Sequence, residues 1–90
     1  MKKGIVTVLG KDSVGIIAKI CSYMSERNVN VLDISQTIVD GYFNMMMVVD
    51  LNNSTEPLAS MTVGLETLGR DIGVVVRLQH EDIFNAMHRI

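Results

Sequence analysis

The chain has 90 residues, 48% of them hydrophobic, with a net charge of −2 at pH 7. That length fits one domain, and the charge balance leaves no basic face for DNA, RNA or an anionic membrane. The single cysteine, Cys21, excludes an internal disulfide, and no run of 18 apolar residues offers a transmembrane helix.

Lys3 to Leu9 is rich in Ile, Val and Thr and bounded by glycines, which predicts a first strand. The opening "MKKGIVTVLGKDSVG" turns polar too soon for a secretory signal, so the expected location is cytoplasmic. From Val14 the apolar residues fall at Val14, Ile17, Cys21 and Met24, with Ile16, Ile20 and Tyr23 beside them. This spacing predicts an amphipathic helix capped by Asp12 or Ser13 and closing near Asn28, with Cys21 as an inert core thiol.

Asn30–Val39 and Tyr42–Leu51 are β-rich runs separated by Asp40-Gly41, a strong signal for a two-residue hairpin. The turn sets Val39 opposite Tyr42, Thr37 opposite Asn44, Ser35 opposite Met46 and Asp33 opposite Val48 on one mixed face. The other face, expected to meet helices, pairs Ile38 with Phe43, Gln36 with Met45, Ile34 with Met47 and Leu32 with Val49. Alternation sends Met45 and Met47 to the core and Met46 to the far side.

After the loop "NNSTEP", Pro57 suits the first turn of a second helix, with a stripe of Leu58, Met61, Leu65, Leu68 and Ile72. Gly64 and Gly69 each weaken it by roughly 1 kcal/mol relative to Ala, and Gly73 ends it. "VVVRLQ" is a fourth strand, and Ile83, Phe84, Met87 and Ile90 mark a short helical tail. The order β-α-β-β-α-β predicts an α+β, ferredoxin-like sandwich: a four-stranded antiparallel sheet with two helices on one face. The domain is expected over residues 1–80 and the tail over 81–90. The apolar content exceeds what one thin core needs, which predicts a homodimer.

"GKDSVGIIAKI" and "ERNVNVLDISQT" on this element order resemble the ACT domain, over nearly all of residues 3–80. The resemblance extends to free-standing bacterial ACT proteins and to the ACT segments of the glycine-cleavage repressor and formyltetrahydrofolate deformylase. Gly10, Asp12, Gly15, Ile16 and Ala18 carry the first motif; Asn30, Val31, Asp33, Ile34 and Gln36 carry the second. Val14 stands where many ACT domains have proline. The resemblance implies a non-enzymatic regulatory module that binds a small molecule, usually an amino acid, and modulates a partner protein. It places the ligand at the first turn. It also carries the role of completing the site from a neighbouring subunit onto Asn30, and more weakly onto Asp33 and Gln36.

In physical terms, Gly15 permits close strand–helix approach and leaves room for a ligand, and the N–H groups of Ser13 to Ile16 favour a carboxylate. Asp12 can accept bonds from an α-ammonium group. The plainer reading makes Asp12 a cap, Asn30 a turn residue and Asp33 a solvated carboxylate. Gly10 and Gly15 have the spacing of a Walker loop, but Ile16-Ile17 follow where Lys-Ser/Thr is required. His80, His88, Glu81 and Asp82 match no metal-ligand spacing, and no nucleophile–base set is placed for catalysis. No cofactor or metal is expected. Two other classes remain open: a ligand-free interaction or structural dimer module, and a small ferredoxin-like enzyme or RNA binder. RNA binding in this fold uses aromatic residues on the open sheet face, and "GIVTVLG" and "VVVRLQ" offer none.

Overall fold

A computed structural model describes residues 2–11 and 14–82. The elements are β1 (Lys3–Lys11), α1 (Ile16–Glu26), β2 (Asn30–Val39), β3 (Tyr42–Asp50), α2 (Leu58–Ile72) and β4 (Val74–His80). They form one sheet in the order β2-β3-β1-β4, with every pairing antiparallel. This is the expected ferredoxin-like βαββαβ fold. Glu81 and Asp82 are helical; the rest of the predicted tail lies outside the described residues.

Period-two alternation puts one row of each of three strands into the core: Val6 and Val8, Phe43 to Val49, and Val74 to Leu78. Ile16, Ile20 and Met24 of α1 and Met61 and Leu65 of α2 close it from one side. Each fully buried side chain of this size contributes about 1.5–3 kcal/mol. Met45 and Met47 are in the core and Met46 is exposed, as alternation predicts.

The helix glycines weaken α2 less than they make room. A Cβ on Gly69 would stand 2.7 Å from the Val74 carbonyl oxygen, and one on Gly64 would collide with the Tyr23 hydroxyl. β4 and α1 therefore press on α2 where it has no side chain. Gly73, at φ 80°, supplies the left-handed C-terminal residue of α2.

Two expectations about α1 are corrected. The helix begins at Ile16, two residues later than the apolar pattern, because Gly15 at φ 87° is its N-cap. Val14 projects fully into solvent and is no part of the buried stripe. Asp12 and Ser13 lie outside the described residues.

The hairpin register holds from Val39 back to Asp33 and then slips. A bulge between Val31 and Asp33 leaves Leu32 as the extra residue, so Val31, not Leu32, stands opposite Val49. β2 also departs from the expected apolar face in a second way. The helices cover β3, β1 and β4, and β2 overhangs them: Ile34, Gln36 and Ile38 face the helix side yet are exposed.

Candidate ligand-binding site

The first turn is built by two glycines with different roles. Gly10 lies opposite Val74, and a Cβ there would sit 2.7 Å from a Val74 methyl group and 3.0 Å from its Cα. Gly10 is thus the close-approach residue. At Gly15 a Cβ would meet nothing within 4 Å. The expectation that Gly15 permits strand–helix contact is therefore overturned; its requirement is the positive φ.

Beyond Gly15 the Lys19 N–H donates to the Gly15 carbonyl at 3.0 Å, the first intrahelical bond. The amides of Ile16, Ile17 and Ala18 have no intrahelical acceptor. Gly15 provides no side-chain cap, and the first turn holds no acidic residue. The positive end of the helix dipole thus meets no acidic side chain from the helix's own first turn.

Asn30, Asp33 and Gln36 are all exposed on β2. Asn30 stands opposite Asp50. Asp33 faces Val48, and its Oδ1 accepts a hydrogen bond from the Ile34 N–H at 2.9 Å. Gln36 stands opposite Met45. The structure does not bring Asn30 to the turn within one chain. The two lie at opposite ends of α1, whose 11 residues span about 16 Å.

At the Asn30 end, a groove of about 560 Å³ opens between α1 and β2, lined by Cys21, Ser25, Asn28, Asn30, Val31 and Asn53. Cys21 is accordingly half-buried rather than a sealed core thiol. Asn28 closes α1 in the left-handed region at φ 59°, and its Nδ2 donates to the Asn53 carbonyl at 3.0 Å.

Sequence reasoning missed a clasp at this helix end. The Arg27 guanidinium stacks 3.5 Å from the Tyr23 ring centroid, and its Nε donates to Glu56 Oε1 at 3.1 Å. Arg27 Nη1 also donates to the Tyr23 carbonyl at 3.1 Å, tying α1 to the loop before α2. Burial pushes the Tyr23 hydroxyl pKa above its ordinary value, with Arg27 pulling the other way. The only sequence signal was an i, i+4 Tyr–Arg pair.

Among the described residues no polar or charged side chain is buried, and none forms a cluster suited to a metal ion. His80 Nδ1 accepts from the Asp82 N–H at 3.1 Å, turning the chain out of β4. No described helix is long and apolar enough to cross a membrane.

A ferredoxin-like βαββαβ module whose first helix starts at a left-handed glycine, with no buried ionisable group among the described residues, defines the class. The chain belongs to the ACT domain family, whose model matches residues 4–79. It is 61% identical over 90 residues to a UPF0237 protein of Bifidobacterium longum, covering 100% of both chains. It is 48% identical to a UPF0237 protein of Methanocaldococcus jannaschii, again over the whole of both. Among solved structures, an ACT domain protein from Streptococcus pneumoniae matches with a TM-score of 0.82 and 37% identity, over 97% of this chain and 98% of that one. A formyltetrahydrofolate deformylase from Pseudomonas syringae matches in fold with a TM-score of 0.81 and 17% identity, over 89% of this chain and 28% of that one. A protein described as a glycine cleavage system transcriptional repressor gives 0.74 and 17%, over 88% and 45%. The family assigns the chain to small regulatory ligand-binding modules.

Proposed function

We propose that this chain is a homodimeric, non-enzymatic sensor of an amino acid or closely related metabolite, which acts by modulating a partner protein. The observation that carries the reading is the N-terminus of α1 at Gly15, where neither the glycine nor the helix's first turn supplies a capping or acidic side chain and the leading amides suit a carboxylate. Asp12 takes the ligand's ammonium group. Asn30 of a second copy closes the site, because the chain's own Asn30 sits at the wrong end of α1. Asp33 and Gln36 belong to the same strand and help to hold that second copy.

Asp12→Asn tests the site. Charge-assisted hydrogen bonds of this kind are worth about 1.5–3 kcal/mol, so calorimetric titration should show affinity reduced about tenfold or more with the fold intact. Equal affinity for the wild type and Asp12→Asn would make Asp12 a bystander. A one-to-one mixture of Asp12→Asn and Asn30→Ala chains gives heterodimers with one intact site, so it should regain tight binding that neither parent shows.

A second reading is favoured by the exposed apolar residues of β2, which serve a pure interaction module equally well. On that reading the dimer persists and no amino acid changes its melting temperature.

A further inference from the structure

β4 is one edge of the sheet, on the opposite side from β2. Its outward backbone groups can be assigned by alternation from the hairpin. The two-residue turn, with Asp40 at φ 53° and Gly41 at φ 82°, makes Val39–Tyr42 a hydrogen-bonded pair. Tyr42 and every second residue after it then bond to β2, and Phe43 and every second residue after it bond to β1. The β1 partners of that second set are Gly10, Val8, Val6 and Gly4, which leaves Ile5, Thr7 and Leu9 to bond to β4. Their partners are Gln79, Arg77 and Val75, so Val74, Val76 and Leu78 turn their N–H and C=O groups to the free edge. Among the described residues no backbone group pairs with them there. Gly69 of α2 packs over this edge: a Cβ on it would stand 2.7 Å from the Val74 carbonyl oxygen and 3.2 Å from the Val76 nitrogen.

A groove of about 470 Å³ runs along this edge, bounded by β4 from Val74 to Gln79 and by Thr62, Glu66 and Arg70 of α2. The three α2 residues are four apart and form one row, with about 6 Å of rise between neighbours. Alternate residues of a strand are about 6.6 Å apart. Only Gly73 separates α2 from β4, so the two run in opposite senses and Arg70 stands at the Val74 end. A strand laid along β4 therefore presents every second side chain to Arg70, Glu66 and Thr62 in turn. Arg70, Glu66 and Arg77 have no ion-pair partner among the described residues. Arg70 Nη2 donates to the neutral Thr67 Oγ1 at 3.3 Å.

We propose that this groove takes an extended segment of the modulated partner protein, added antiparallel to β4 as a fifth strand, with an acidic side chain at Arg70 and a basic one, two residues earlier, at Glu66. This deepens the proposed function and rests on it for there being a partner. A free edge of alternating donors and acceptors selects an extended backbone, and the antiparallel ladder is the more stable one. The charges select the side chains and exclude a second copy. Two β4 strands paired over their whole length centre on Arg77 and set one Arg77 against the other. Centring on Val76 instead brings together the two Glu66 carboxylates that flank it. In a partner segment, an acidic residue just before the basic one meets Arg77 on the far face of the sheet. The Val74 end of the groove stands opposite Gly10, where β1 runs into the proposed ligand-binding turn. A bound amino acid thus has a direct contact through which to alter the groove.

The test uses two fluorescent peptides with the whole chain. Ser-Val-Thr-Glu-Lys-Val-Asp-Val-Ser matches the groove, and Ser-Val-Thr-Glu-Asp-Val-Lys-Val-Ser exchanges its Lys and Asp. By fluorescence anisotropy the wild type should bind the first at least fivefold more tightly than the second. The double variant Glu66→Arg/Arg70→Glu, at two exposed positions, should reverse that preference. Amide hydrogen exchange reads the backbone: the Val76 and Leu78 N–H groups should exchange faster than those of Val75 and Arg77 in the free chain, and slow at least tenfold on saturation with the first peptide. No binding of either peptide at millimolar concentration, an unreversed preference, or binding that leaves Val76 and Leu78 unprotected would overturn the proposal. Protection of those two amides in the free chain would show an edge already occupied and would overturn it as well. The amino-acid thermal response is a separate readout, so failure of the ligand reading and failure of this groove are distinguishable.

Discussion

At Gly15 the backbone holds φ 87° in open space, with nothing within 4 Å of where a Cβ would stand. Gly15→Ala should therefore cost about 1–2 kcal/mol through conformation alone, seen as a melting temperature lower by roughly 5–15 °C. Gly69 is the opposite case. Its φ is helical, so Ala would gain about 1 kcal/mol of propensity in free space, but its Cβ would meet the Val74 carbonyl oxygen at 2.7 Å. Gly69→Ala should destabilise despite better propensity, and a melting temperature at or above wild type would refute that packing account. Neither distinction was legible in the sequence. Spacing marks where glycines interrupt a pattern, but whether one answers a dihedral or a neighbour depends on what the fold brings against it.

At the scale of elements, the clasp of Tyr23, Arg27 and Glu56 makes a pH prediction. Burial raises the Tyr23 pKa in the folded chain above the ordinary value near 10. The neutral hydroxyl is therefore favoured by folding. Its contribution to stability is complete below pH ~10 and is lost as pH rises through the higher folded value. Tyr23→Phe should flatten this part of the alkaline loss in denaturant midpoints between pH 9 and 11. Identical alkaline slopes for Tyr23→Phe and wild type would contradict it. The hairpin register was legible from Asp40-Gly41, because a two-residue turn leaves one choice of partner for each residue. The slip at Leu32 was not: strict alternation assigned Leu32 inward, and only the adjacent Val31-Leu32 pair, two apolar residues in a row, marks the bulge.

For the whole molecule, the element order and two motifs sufficed to read the ACT fold, since each helix stripe and strand alternation agrees with it. The overhang of β2 was not readable, because whether a strand's apolar face is covered depends on where the helices sit above the sheet. That overhang leaves β2 exposed on both faces, while Asn30 is kept from the turn of its own chain because the two lie at opposite ends of α1. The central claim is that the turn before α1 binds an amino acid. A thermal-denaturation screen of the wild-type chain against the twenty amino acids tests it most directly. A ligand at 100 times its dissociation constant adds about 2.7 kcal/mol, or roughly 10–20 °C for a domain of this size. At least one amino acid should raise the melting temperature in this way, with the rise reduced in Asp12→Asn; a screen in which none of the twenty moves the wild-type transition would contradict the account.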